Sequence, residues 1–433
     1  MRRNTYLITL AAIAGISLNT LAAVDESSIS SSVNQYKRLF SNSVEAGERP
    51  DQAAMGGFVE KALKDVSIND LTVEQIQEVL NKLPVLYSAK TMAAIDVVLK
   101  RDSAQNDAAG ARAATLEIAL LPYDAKPEDR LARIKAALAH PAIDKMIAGG
   151  FGGMLYTAAA NLEPDALISI RPDLLKLGDS INSNATAGFL VGGAEFQLSI
   201  ARQLKSEDLK TFEPLRQKFA AVASEKLKGQ LTPQEKSAVS RALAELNGAY
   251  ARGQLIGNPA PPIDFIWSEN AADPKNPIKS LSDLKGKVVV LDFWATWCGP
   301  CVATFPRVKA LQRYYKGYDV AVLGVTSIQG FVDTAGGRVE TKGDPEKELQ
   351  LVGQFVKDKD MTWSVGVGKQ DVFNPEYGVI GIPDVVIIDA KGNVRYAGLH
   401  PAQPLQEKTK IIDQLLAEAG SMVPAQLMMS NPQ

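Results

Sequence analysis

Cys298 and Cys301, separated only by Gly299 and Pro300, are the two cysteines of a 433-residue chain. Thiols this close can join in a small disulfide ring, and one of them can resolve a mixed disulfide formed by the other. The attacking form is the thiolate. It is favoured where a helix begins, because unpaired amide groups and the positive end of the helix dipole face the sulfur. The flanking sequence supplies that setting: an apolar run at 288–293, broken only by Asp292, leads through Trp294 and Trp297 into an expected helix over 300–316. Two other readings stand beside this one. Zinc needs two further ligands, and the only histidines, His140 and His400, are poorly placed to provide them. An inert disulfide across so short a loop would stabilise the fold weakly.

The elements that position the pair follow from hydrophobic patterning. Short β-branched runs at 288–293, 318–325 and 385–388 read as central strands of a covered sheet, alternating with expected helices at 300–316, 345–357 and 405–419. This is an α/β domain. The Gly- and Pro-rich segment ahead of it, from Gly253 to Pro262, reads as the best linker in the chain. Between about residue 28 and residue 252 the spacing is helical instead: Met55, Val59, Leu63 and Val66 form one stripe, and Phe212, Leu215, Phe219 and Val222 another. Thr72 with Gln75, and Thr232 with Glu235, have capping-box spacing. The expected fold class is therefore an N-terminal all-α domain of helical hairpins, solenoid- or bundle-like, followed by a C-terminal α/β domain. No repeat of tetratricopeptide, HEAT or armadillo length is visible. Gly149–Gly153 reads as a tight turn, since no Lys-Ser/Thr follows it as a phosphate loop requires. His140, before Pro141, reads as a helix end. The helical half shows no catalytic constellation.

A hydrophobic content of 46%, a charged content of 22% and a net charge of −2 describe ordinary globular domains and give no global footprint for nucleic acid. Arg2 and Arg3, an apolar run at 7–18, and Ala22-Ala23 follow the order of a cleaved secretory leader, and the apolar run is short for a membrane helix. The expected organisation is a signal peptide at 1–23, a helical domain at 24–252, a linker at 253–258, the α/β domain at 259–420 and a tail at 421–433. The expected location is the bacterial periplasm, with an uncleaved inner-membrane anchor as the alternative. There the cysteine pair meets conditions that permit disulfide chemistry.

The run Asp292-Phe293-Trp294-Ala295-Thr296-Trp297-Cys298-Gly299-Pro300-Cys301 resembles the active-site segment of the thioredoxins, with Pro306 where that family kinks its helix. Tyr377-Gly378-Val379-Ile380-Gly381-Ile382-Pro383 is similar to the family's cis-proline segment. Pro261-Pro262-Ile263-Asp264-Phe265, Leu284-Lys285-Gly286-Lys287 and an inserted helix and strand at 345–367 resemble the exported TlpA/ResA-type thiol-disulfide oxidoreductases. The resemblance spans about 259–420 and leaves the helical domain unassigned. The loop at 330–344 is longer and richer in glycine than the family pattern, and a mobile loop is expected there.

The resemblance implies roles residue by residue. Cys298 is the exposed nucleophile and Cys301 the buried resolving thiol. Ile382 and Pro383, with Trp297, Gly299 and Pro300, border the bound polypeptide. Asp292 is the buried carboxylate that accepts a proton as Cys301 becomes nucleophilic; burial should raise its pKa to suit. The redox group is the Cys298–Cys301 disulfide itself, with no cofactor and no metal. Partners are a protein thiol or disulfide and an upstream electron donor of the cell envelope; no signal for oligomeric state is visible. The Gly-Pro spacer is that of the reducing members, near −270 mV where a strong oxidant sits at about −120 mV. A peroxidase of the wider redoxin group would carry a threonine three residues before its cysteine, and neither cysteine has one.

Overall fold

A computed structural model describes residues 52–424 except 65, 83–87 and 123; the expected leader and the end of the tail lie outside these. The chain divides into two compact units, one through Leu246 and one from Asn247.

In the first unit, the described residues form α1 (Gln52–Ala62), α2 (Val73–Lys82), α3 (Ala89–Asp102), α4 (Ala108–Leu116), α5 (Pro127–Leu138) and α6 (Ile143–Ala148). These are followed by α7 (Gly153–Ala159), α8 (Pro164–Gly178), α9 (Ala187–Gln203), α10 (Ser206–Lys210), α11 (Glu213–Lys226) and α12 (Pro233–Asn247). Starts are fixed as the residue types require. The Oγ1 of Thr72 and of Thr232 accepts from the amides of Gln75 and Glu235, and those side chains accept the threonine amides in return. The core is aromatic at its centre, where Tyr156 meets Phe196 and Phe219 edge-on at 5.5 and 5.1 Å. The glycine segment is a turn between α6 and α7. Gly150 has φ +88°, and a Cβ there would lie 2.0 Å from the Asn184 carbonyl oxygen, so only glycine fits. His140 sits between α5 and α6, its Nδ1 accepting from the Ala142 amide at 3.2 Å.

The second unit holds β1 (Phe265–Glu269), β2 (Val288–Phe293), α13 (Gly299–Tyr314), β3 (Val320–Ser327), β4 (Phe331–Thr334) and β5 (Gly337–Glu340). It continues with α14 (Pro345–Asp358), β6 (Ser364–Gly368), β7 (Asp384–Ile388), β8 (Val394–Leu399) and α15 (Leu405–Glu418). Six strands form one sheet in the order β1-β6-β3-β2-β7-β8. β2, β3 and β6 run parallel, and β1, β7 and β8 antiparallel to their neighbours. Every residue of β2 is buried, which is why its sequence is a nearly continuous apolar run.

Two expectations are corrected. The segment 253–258 is no free linker, and the unit boundary falls before it. Gly257 N–H donates to Val394 O at 2.7 Å, Val394 N–H to Asn258 O at 2.9 Å, and Ala260 N–H to Gly392 O at 2.9 Å. Glycine and proline here shape a turning segment that makes two isolated bridges, Ile256 to Val394 and Pro259 to Asn393, and composition alone does not distinguish that from a linker. The loop at 330–344 is likewise ordered: β4 and β5 pair as a hairpin in the register Phe331–Glu340 to Thr334–Gly337.

Candidate active site

β2 delivers the site. After Phe293 the chain turns through 294–297, and Cys298 caps the N-terminus of α13, its Sγ accepting from the Cys301 amide at 3.1 Å. Cys298 and Cys301 are joined as a disulfide, with Cα atoms 5.2 Å apart. The expected exposure of Cys298 is corrected for this state. Cys298 is 3% and Cys301 1% exposed, because both sulfurs lie within the apolar cluster that contains Trp294, Ala295 and Phe305. The accessible rim is Gly299 and Pro300, both exposed.

Sheet register brings the second motif to the same place. Phe293 pairs with Asp384 across β2 and β7, which sets Pro383 level with Trp294 at the turn toward Cys298. The Ile382–Pro383 peptide bond is cis, and Ile382 packs against the cluster that holds the two cysteines. Trp297 walls the opposite approach. Its Nε1 donates to Gln329 Oε1 at 3.0 Å, its ring lies 6.2 Å from that of Phe373, and Gln329 Nε2 donates to Ser327 Oγ at 2.8 Å. Gln329 is held in turn by Glu348 of α14, whose Oε1 accepts the Gln329 amide at 2.5 Å and whose Oε2 accepts the Gly330 amide at 2.9 Å.

Asp292 alternates with Val290 and Trp294 onto the face of β2 that carries the cysteine cluster. It is 2% exposed, and its Oδ1 has no hydrogen-bond partner among the described residues. Burial therefore pushes its carboxyl up to about 7, with Lys408 pulling the other way. Lys408 itself is buried on α15, donates from Nζ to Pro401 O, and is lowered to about 8 chiefly by burial. Next to Asp292 in the sheet stands Gly324, where a Cβ would lie 2.9 Å from Trp294 Nε1 and 3.1 Å from Trp363 Nε1. The missing side chain there makes room for two indoles.

The structure thus brings Cys298, Cys301, Ile382, Pro383, Trp297, Gly299 and Pro300 to one end of the sheet, with Asp292 in the strand beneath. Sequence reading missed Lys408, Gln329 and Glu348. Lys408 left a signal, since it falls at helical spacing with the buried Ile412 and Leu415 of α15. Gln329 and Glu348 left none, because what marks them is their contacts across the fold.

A dithiol closed at a helix N-terminus, at the end of a central strand and level with a cis-proline, defines a thioredoxin-like redox domain. The family model described as Redoxin matches residues 255–416. The thioredoxin-like protein YneN of Bacillus subtilis is 30% identical over 131 residues, 30% of this chain and 67% of that protein. The thiol-disulfide oxidoreductase ResA of Bacillus thuringiensis is 31% identical over 134 residues, again 30% of this chain and 67% of that protein. A crystal structure of a thiol:disulfide interchange protein from Chlorobium tepidum aligns at 23% identity over 37% of this chain and 98% of its own, with a TM-score of 0.26. Through its second unit the chain belongs to the ResA-type thiol-disulfide oxidoreductases of the thioredoxin-like superfamily, and it is an enzyme of that class.

Proposed function

We propose that this enzyme reduces disulfides in proteins outside the cytoplasm, with Cys298 as nucleophile and Cys301 as resolving thiol. The observation that carries the reading is the Cys298–Cys301 pair closed at the start of α13, with Asp292 buried in the adjoining strand. In the reduced enzyme, the Cys301 amide and the helix terminus favour a thiolate on Cys298. That thiolate attacks one sulfur of the substrate disulfide, and a substrate thiolate leaves. Cys301 then gives its proton to the Asp292 carboxylate and attacks Cys298 Sγ. The second substrate thiolate leaves, and two electrons have passed from enzyme to substrate as the enzyme disulfide forms. A carboxyl titrating near neutrality suits that proton transfer, because it can take the proton and return it. A donor of the cell envelope restores the dithiol, and no dissociable cofactor takes part. The Gly299-Pro300 spacer supports the reducing direction. Residues 1–23 supply export, and the helical unit docks a partner or sets oligomeric state.

A Cys301→Ser variant tests the reading. It is expected to accumulate mixed disulfides with envelope proteins through Cys298, and the parent enzyme to reduce insulin with a chemical reductant. A measured potential above that of the disulfide isomerases, about −180 mV, would overturn the reducing direction.

A further inference from the structure

Between α13 and the start of α15 lies a second polar feature that the redox step does not use. Arg307 of α13 and Lys408 of α15 line a recess of about 300 Å³ together with Gln403, Pro404 and Leu405. Arg307 is exposed, and its Nη1 donates to Ala402 O. The buried Lys408 donates to Pro401 O. Each cation is thus held by a backbone carbonyl of the 400–404 loop, and neither has a carboxylate at ion-pair distance among the described residues. Positive charge is crowded here. Burial first, and then Lys408 and Arg307, lower His400; burial and then Arg307 lower Lys408, against the buried Asp292 and the exposed Glu407, which act on Lys408 in the other direction.

The recess stands at the active end of the sheet. Leu399 at the end of β8 pairs with Val385, and Val385 pairs with Asp292, so the 400–404 loop leaves the sheet alongside the cis-proline segment. Arg307 lies nine residues along α13 from its cap at Cys298, which is about 14 Å at the helical rise. An extended polypeptide crosses that distance in about four residues.

We propose that the recess formed by Arg307, Gln403, Pro404, Leu405 and Lys408 binds a carboxylate side chain of the substrate polypeptide, about four residues from the cysteine undergoing exchange. The proposal rests on the reading of the enzyme as one that acts on protein disulfides. Arg307, pinned but still exposed, offers the guanidinium fork that carboxylates bind in paired fashion. Lys408 makes the inner wall positive. The site therefore selects among polypeptides by charge while the dithiol performs the same exchange on each.

Matched peptides test this with the full-length enzyme. Each carries one cysteine in mixed disulfide with thionitrobenzoate, and Glu, Gln or Lys four residues to either side. The pre-reduced enzyme is expected to prefer the best Glu peptide to its Gln partner by about tenfold in kcat/KM at low salt, with the ratio shrinking at high salt. Arg307→Gln should bring the ratio to about one, and Arg307→Glu should turn the preference toward Lys. Equal rates for Glu, Gln and Lys peptides, or a Glu preference that survives Arg307→Glu, would overturn the docking site. If no peptide is reduced, the reductase reading fails. Docking is then decided separately by fluorescence anisotropy of a labelled Glu peptide in which serine replaces the cysteine. Binding that weakens in Arg307→Glu supports the site, and binding unaffected by that change refutes it.

Discussion

Asp292 shows what one buried carboxyl does to both stability and chemistry. In the unfolded chain it ionises at its ordinary 3.8, and in the fold at about 7. Below about pH 4 both states hold the proton, and the group costs nothing. Between the two values the unfolded chain releases a proton that the fold keeps, so stability falls as pH rises and levels off above about 7, for a total of roughly 4 kcal/mol. Asparagine carries no such penalty. Asp292→Asn should therefore be more stable than the parent at pH 8 by up to a few kcal/mol, with little difference at pH 4, while resolution of the mixed disulfide slows. Urea unfolding of the oxidised protein at the two pH values checks this. Tryptophan fluorescence is the right signal, because Trp267, Trp294, Trp297 and Trp363 all lie in the redox unit. The same gain at both pH values would show that the carboxyl is not held neutral by burial. Gly324 offers a second test at this scale. A methyl there collides with Trp294 and Trp363 in a packed core, so Gly324→Ala should cost about 1–3 kcal/mol and shift the same fluorescence transition.

At the scale of elements, the β4–β5 hairpin depends on one acidic side chain. Glu348 is 1% exposed and accepts from the Gln329 and Gly330 amides and, at 2.6 Å, from Thr341 Oγ1, so it ties both ends of the hairpin to α14. Removing it strands two amides and a hydroxyl in a buried place, at a cost of about 2–4 kcal/mol. Glu348→Ala should also raise hydrogen exchange at the Gln329 and Gly330 amides well above that in β3, and release Trp297 from its Gln329 partner. Unchanged protection at those two amides would show that the latch lies elsewhere. This hairpin marks where the sequence stops being legible. β2, α13 and α15 were readable because apolar period and length each point to one element, and the Cys298–Cys301 and Ile382–Pro383 motifs are local. The hairpin, with the half-exposed Phe331, Asp333 and Thr334, has no strong period of its own, and its partner acid lies beyond the next turn. Lys408 was passed over for a related reason: a lysine in a helix normally faces water, so its place in the apolar stripe of α15 gains meaning only from the packing that buries it near Asp292.

For the whole molecule, the consequential difference is where the redox unit begins. Composition places the break in the Gly- and Pro-rich segment, whereas the contacts place it after Leu246. The residues between are part of the domain's packing. The Ala249 amide donates to Glu376 Oε2 at 2.9 Å, and Leu255 is fully buried. The ring of the buried Tyr250 occupies the space over Gly378, where a Cβ would come within 2.5 Å of it. Gly378, with φ +71°, is therefore fixed as glycine by both its backbone and its neighbour, on the segment that leads to Ile382 and Pro383. A chain cut at the compositional linker loses these contacts; one cut at the unit boundary keeps them. Residues 247–424 should accordingly fold and reduce insulin, whereas residues 259–424 should be less stable by at least the burial of Tyr250 and Leu255, about 3–5 kcal/mol. The loss should extend to the site, because Tyr250 and Glu376 brace the strand of chain that enters the cis-proline from 374 to 381. Comparing urea midpoints by tryptophan fluorescence, and then KM for a protein disulfide, separates the two effects. Equal midpoints for the two fragments would return the boundary to 253–258, and a lower midpoint with unchanged KM would confine the segment to stability.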